Sequence, residues 1–260
     1  MGMMAIISPA KQMRCDDFPE PEGTPALLER AVPLLEYLRG LTLPELKKLL
    51  ACNDRLAEQN YERYQKMELE RADTAALMAY NGIQFRYMAP GLFTEPQLAY
   101  IQRHLRILSG FYGILRPLDA VAPYRLEMQA RLKTGFCKNL YDYWGDSLCR
   151  QLEAEGADVI LNLASEEYAK AVEPYAGCRT VWATAVFGEL EDGEIREKGV
   201  YVKMARGEMV RFLAERQIED VRDIRAFQGL GYRYVGKYSD SQTFVFLREK
   251  DWKRRAASGM

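Results

Sequence analysis

The 260-residue chain sets 36 Lys and Arg against 37 Asp and Glu, a formal net charge of −1, and 48% of its residues are hydrophobic. A chain of this size and composition buries a sizeable core, which excludes disorder; no apolar run reaches the ~18 residues of a membrane span, and the first ten residues lack the basic-then-apolar pattern of a leader. Cys15, Cys52, Cys137, Cys149 and Cys178 are odd in number and never spaced C-x-x-C, and His104 is the only histidine, so a disulfide framework, a structural zinc and a His-rich metal centre are all disfavoured. Reduced thiols, a cytoplasmic location, no metal and no cofactor are expected.

In chain order, Met4-Ala5-Ile6-Ile7 reads as a buried strand that runs into a loop, Ser8-Pro9-Ala10-Lys11. Residues 26–77 are helical in pattern and acidic, with Leu46, Leu49, Leu50 and Leu56 on one stripe. Thr94-Glu95-Pro96-Gln97 has the form of a capping box, so a helix should start there and carry Leu98, Ile101, Leu105 and Leu108 on one face until Ser109-Gly110-Phe111-Tyr112-Gly113 stops it. Further helices are expected around residues 124–132 and over 136–155, the latter burying Leu140, Tyr143, Trp144, Leu148 and Leu152.

The run Asp158-Val159-Ile160-Leu161-Asn162-Leu163 has the continuous apolar character of a strand covered on both faces, and Ser165 after it is a plausible helix cap. Residues 179–187 and 199–204 are β-rich and flank Asp192-Gly193, a strong hairpin pair; residues 232–238 and 243–247 suggest a second hairpin, with a helix over 207–217 between the two. Neither a G-x-G-x-x-G nor a G-x-x-x-x-G-K-[ST] motif occurs. The expectation is an α/β (mixed α+β) fold in a single domain, residues 1–250, with a central mixed sheet surrounded by helices and a flexible tail over 251–260.

Charge is uneven along the chain: residues 16–73 hold 13 acidic and 8 basic side chains, whereas 99–133 hold 6 basic and 2 acidic. Within the basic stretch, two glycines three apart between apolar segments suit a helix-hairpin-helix element. Its backbone N–H groups would face an anion, with Ser109, Gly110, Tyr112 and Gly113 in the turn and Arg106, Arg116 and Arg125 supplying charge-assisted contacts. The alternative at this point is a helix corner whose glycines only permit close packing. A second constellation gathers beyond strand ends, where ligands collect in open α/β sheets: Ser8 and Lys11 after the first strand, then Asn162, Ser165, Glu166 or Glu167, and Tyr168. Lys11 could act there as nucleophile or base, or be a surface ion pair. Lys203 and Arg206, where a strand hands over to a helix in this reading, would add a wall to a positive cleft, while Arg211 and Glu215 form an i,i+4 surface pair.

These segments resemble the YaaA peroxide-stress protein family, long known as a domain of unknown function. The match runs through Ile7-Ser8-Pro9-Ala10-Lys11, the stretch from Leu105-Arg106-Ile107-Leu108-Ser109-Gly110 to Arg116-Pro117-Leu118-Asp119, Pro123-Tyr124-Arg125-Leu126-Glu127-Met128, Leu140-Tyr141-Asp142-Tyr143-Trp144-Gly145-Asp146, Asn162-Leu163-Ala164-Ser165-Glu166-Glu167-Tyr168, and Ala205-Arg206-Gly207-Glu208-Met209-Val210-Arg211-Phe212. The resemblance implies a cytosolic protein of the hydrogen peroxide response, linked to limiting free iron and to DNA repair. It also implies a helix-hairpin-helix, a positive cleft, and binding of duplex or branched DNA with little sequence preference. Where many members read Gly-Asp-Val-Tyr, this chain has Gly82-Ile83-Gln84-Phe85, so no role is carried over to that loop. DNA binding through Ser109, Gly110, Tyr112, Gly113, Arg106, Arg116, Arg125, Lys203 and Arg206 is the leading expectation. The alternative is a base-processing, glycosylase-like enzyme using Ser8, Lys11, Asn162, Ser165, Glu166 and Tyr168. Direct iron sequestration is disfavoured by the donor set.

Overall fold

The computed structural model describes residues 2–15, 19–177 and 179–249. Its centre is a mixed sheet of eight strands. Met3–Ile7 lies in the middle, parallel to Val159–Leu163 on one side and to Leu105–Ser109 on the other. Beyond Val159–Leu163 come Val181–Glu191 and then Thr243–Arg248, both continuing the parallel run. Antiparallel strands close the two edges, Gly113–Leu115 beside Leu105–Ser109 and Tyr232–Tyr234 beside Thr243–Arg248; Glu194–Arg196 turns back on Val181–Glu191 through Asp192-Gly193. Every residue of Met3–Ile7 and all but the first of Val159–Leu163 are buried, which is why both read as unbroken apolar runs rather than alternating ones.

The acidic N-terminal half forms helices Leu28–Gly40, Leu43–Leu50 and Asp54–Lys66. Thr94 and Gln97 make the expected reciprocal cap of helix Glu95–His104. Among the described residues no helix is long and apolar enough to cross a membrane. The expected tail over 251–260 lies outside the described residues.

Four expectations are corrected. The helix does not run to Leu108: it stops at His104, and Leu105–Ser109 pairs as a strand with Met3–Ile7, Ile7 opposite Ile107. Apolar positions at helical spacing are equally apolar in a strand buried on both faces, and the central sheet takes them. Residues 124–132 form no helix and run as irregular chain. Residues 136–155 make two helices, Leu140–Trp144 and Ser147–Ala154, broken at Gly145, whose φ of +49° no helix tolerates. Residues 199–204 are not a strand but the first turns of helix Gly199–Arg216.

Candidate functional site

The turn that sequence reasoning placed at the centre of function is a β-hairpin, not a helix-hairpin-helix. Ser109 faces Gly113 across it, and every residue from Leu105 to Leu115 is buried. Its amides are consumed internally: the Ser109 hydroxyl oxygen accepts from Phe111 N at 3.1 Å and Tyr112 N at 2.8 Å. The Gly110 carbonyl accepts from Trp144 Nε1 at 3.1 Å, and the Tyr112 hydroxyl accepts from Ala122 N. The glycines serve packing, as the corner alternative had it. A Cβ on Gly110 would sit 2.4 Å from the Leu126 carbonyl oxygen, and one on Gly113, at φ +77°, would sit 2.7 Å from the Trp144 ring. No main-chain nitrogen here is presented to a polyanion.

Two of the expected arginines are also spent on a carboxylate of the protein itself. Arg106, 4% exposed, donates from Nε to Glu155 and from Nη1 to the carbonyls of Gln102 and Leu105. Arg116 grips the other oxygen of Glu155 with Nε at 3.0 Å and Nη2 at 2.8 Å. Burial opposes charge on Glu155, but the two guanidiniums outweigh it and hold the carboxyl below its ordinary value. This triad sits at the edge of the sheet where the parallel strands begin, since Glu155 precedes Val159–Leu163 and Arg106 opens Leu105–Ser109.

The other constellation does assemble. Beyond the carboxyl ends of Met3–Ile7 and Val159–Leu163 lies a cavity of about 520 Å³, a volume in the range of small-ligand sites. Ser8, Lys11, Ser165 and Tyr168 line it as expected, joined by Arg125, Lys203 and Arg206. The two strand ends are stitched together: Ser165 N donates to the Ser8 hydroxyl at 2.8 Å, and that hydroxyl donates to Ser165 Oγ at 3.1 Å. Two candidates fall outside. Asn162 stays in its strand and spends Oδ1 on the Ala164 amide, and Glu166 points to solvent, paired with Lys170 at 2.5 Å. Their neighbour Glu167 lines the cavity instead.

The charges in the cavity are of three kinds. Lys11 is 63% exposed at the rim, its Nζ 2.6 Å from Glu127 Oε2; the other oxygen of Glu127 takes Arg125 Nη2 at 3.1 Å. Lys11 is thus a paired rim cation, without the burial that an amine nucleophile needs for activation. Glu167 accepts the Gln129 amide at 3.2 Å, and burial, reinforced by the charge of Glu127, raises its pKa. Arg206 lies 4.0 Å from Glu197, and burial lowers its pKa. Three buried donors on lining side chains have no hydrogen-bond partner: Arg125 Nε, Arg206 Nε and Gln84 Nε2.

Gln84 was missed, as were Tyr124 and Glu127. The loop left without a role, Gly82-Ile83-Gln84-Phe85, forms a wall of this cavity. It is held there by packing: a Cβ on Gly82 would meet Ala10 Cβ at 2.8 Å, and one on Gly207 would meet the Gln84 carbonyl oxygen at 2.1 Å, so helix Ile83–Met88 lies directly on Gly199–Arg216. The available signal was Gln84 itself, an amide between Ile83 and Phe85 on a buried face. Tyr124, buried at the cavity floor, has its phenol pushed up to about 12 by burial, against hydrogen bonds with Ser109 at 2.6 Å and Tyr80 at 2.8 Å.

With this geometry in view, comparison with known proteins places the sequence. A family model described as peroxide stress protein YaaA matches residues 3–237. A UPF0246 protein of Desulfitobacterium hafniense strain Y51 is 56% identical over 95% of this chain and 98% of its own length. UPF0246 proteins of Lactiplantibacillus plantarum and Agathobacter rectalis are 50% and 45% identical, over 94% and 95% of this chain and 99% of their own length in each case.

Proposed function

The chain belongs to the peroxide stress protein YaaA family, and from that premise we propose that it serves the peroxide response by binding DNA at the carboxyl-edge cleft, with one unstacked nucleotide entering the cavity. The observation that carries this reading is the set of three partnerless buried donors, Arg125 Nε, Arg206 Nε and Gln84 Nε2, around one cavity. A buried donor without an acceptor costs about 1–3 kcal/mol, and a ligand rich in acceptors relieves that cost on binding. A nucleotide supplies such acceptors in its phosphate, its sugar and its base edge. Lys11 and Lys203 at the rim, with Arg86 nearby, suit the flanking phosphates, which gives affinity without base reading.

The mode differs from that implied by the family resemblance. With the hairpin amides buried, contact through a helix-hairpin-helix is replaced by contact through side chains of the cleft. The volume suits one nucleotide rather than a duplex, so the strand must present a base outside the stack, which costs a few kcal/mol in paired DNA and much less at a bulge or lesion.

The test is fluorescence anisotropy with labelled DNA across a salt series. An oligonucleotide with a single unpaired bulged nucleotide should bind about tenfold or more tightly than its fully paired counterpart, with affinity falling by ~0.7–0.9 log units per contact for each log unit of salt. Equal affinity for both, or binding indifferent to salt, overturns the proposal.

A further inference from the structure

Two carboxylates line the cavity in unlike surroundings. Glu127 is held between two cations, Lys11 Nζ at 2.6 Å and Arg125 Nη2 at 3.1 Å. Glu167, on the neighbouring wall, has a backbone amide as its hydrogen-bond partner, and no Lys or Arg among the described residues lies within ion-pair distance of it. A pair of acids in one cleft, one clasped by two cations and one half-buried beside a backbone amide, is the arrangement that separates a stabilising carboxylate from a proton donor in glycosidic bond cleavage.

Resting on the nucleotide-binding reading above, we propose that this pair hydrolyses the N-glycosidic bond of the nucleotide held in the cavity, Glu167 serving as general acid and Glu127 as the partner carboxylate. The proton of Glu167 passes to the leaving nitrogen of the base. The C1′–N bond breaks with its electron pair going to the base, and the cationic sugar is stabilised by Glu127. Water adds its oxygen to C1′ and yields a proton to Glu127, which passes it on to solvent as solvent reprotonates Glu167. The products are a free base and an abasic sugar, with one water consumed and no other reactant. Lys11 is a positioning residue here: its ion pair holds the Glu127 carboxylate in place, and no covalent adduct forms on it.

The groups facing Glu167 fix the sign of its pH dependence. They are Glu127 from the irregular segment after the hairpin, Lys11 from the loop after the first strand, Tyr141 from helix Leu140–Trp144, and the adjacent Tyr168; Lys203 and Arg206 line the same cavity. Burial and Glu127 raise the carboxyl, so its acid form persists to higher pH than an ordinary glutamate's and is lost as pH rises through the raised value. Single-turnover base release should therefore fall with rising pH.

The experiment uses the full chain and oligonucleotides carrying one 8-oxoguanine, thymine glycol or uracil at an unpaired position, with released base measured by chromatography and binding by anisotropy on the same samples. Wild type should release base from at least one probe. Glu167→Gln, which keeps an acceptor for the Gln129 amide, should bind within about threefold of wild type yet release base ~100-fold or more slowly; Glu127→Gln should also lose release. Wild-type binding with no base released from any probe overturns the proposal and leaves the binding reading standing. Undiminished release by Glu167→Gln removes Glu167 from the chemistry. Absence of binding to every probe at low salt overturns the reading beneath it, and the proposal with it.

Discussion

Arg106 and Arg116 on one side of the sheet, and Arg125 and Arg206 on the other, are the same residue type with opposite fates. The first two share a single carboxylate, Glu155, and their charge is spent inside the protein. Each of the second two keeps a buried Nε with no acceptor, although Arg125 also pairs through Nη2 with Glu127 at 3.1 Å, so that Arg206 is the one whose charge is least spent. The difference follows from which edge of a parallel sheet each pair occupies. At the amino edge, the chain arriving from helix Ser147–Ala154 brings Glu155 in to neutralise the guanidiniums. At the carboxyl edge, loops diverge and leave the crevice in which α/β sheets hold ligands. A basic stretch in a sequence therefore measures charge before pairing, and only the topology shows which cations remain available.

The sharpest way to break this contrast is to remove the shared carboxylate. Glu155→Ala strands Arg106 in the interior without its ion-pair partner and should cost about 3–5 kcal/mol in denaturant unfolding. The sign with pH is fixed by the lowered pKa of Glu155. A depressed folded-state pKa contributes stability that is present above the unfolded value of about 4.3 and is lost as pH falls through the folded value, so the gap between variant and wild type should narrow in acid. A gap of under about 1 kcal/mol at neutral pH would mean that the triad is no stronger than a surface pair.

Arg206→Gln asks the reverse question at the other edge. Because this cation has only a distant partner in Glu197 at 4.0 Å, removing it should leave stability unchanged or slightly raised. Affinity for bulged DNA should drop about tenfold, and the salt slope should flatten by ~0.7–0.9. A destabilisation like that expected of Glu155→Ala, with affinity intact, would make Arg206 structural and erase the distinction between the edges.

The parts of the molecule legible in its sequence are those where one local signal suffices. Unbroken apolar runs gave the two central strands Met3–Ile7 and Val159–Leu163, Asp192-Gly193 gave a hairpin, and Thr94 with Gln97 gave a helix start. What failed were segments whose state depends on distant partners. Leu105–Ser109 is a strand only because Met3–Ile7, a hundred residues earlier, offers it a free edge, and once it is a strand the glycines after it belong to a buried hairpin. The cavity was half legible. Ser8, Lys11, Ser165 and Tyr168 follow from the rule about strand ends, but Gln84, Tyr124 and Glu127 reach it through helix packing and irregular chain, which leave no periodic trace. Glu166 and Glu167 could not be told apart without knowing which side of a one-turn helix faces the cleft.

Arg116 gives the smallest effect and isolates the contrast most cleanly, because its sequence context made it a leading phosphate contact. Its side chain is 48% exposed, which alone would suit that role, yet Nε and Nη2 are both engaged by Glu155, and residue 116 follows Gly113–Leu115 on the edge away from the cavity. Arg116→Gln leaves Glu155 with Arg106 and Gln151, so an exposed partner is lost while the buried one persists. Stability should fall by less than about 1 kcal/mol. DNA affinity and its salt slope should match wild type, whereas a phosphate-bound cation would take ~0.9 off the slope. A flattened slope in Arg116→Gln, together with an unchanged one in Arg206→Gln, would move the DNA-binding surface to the opposite edge of the sheet.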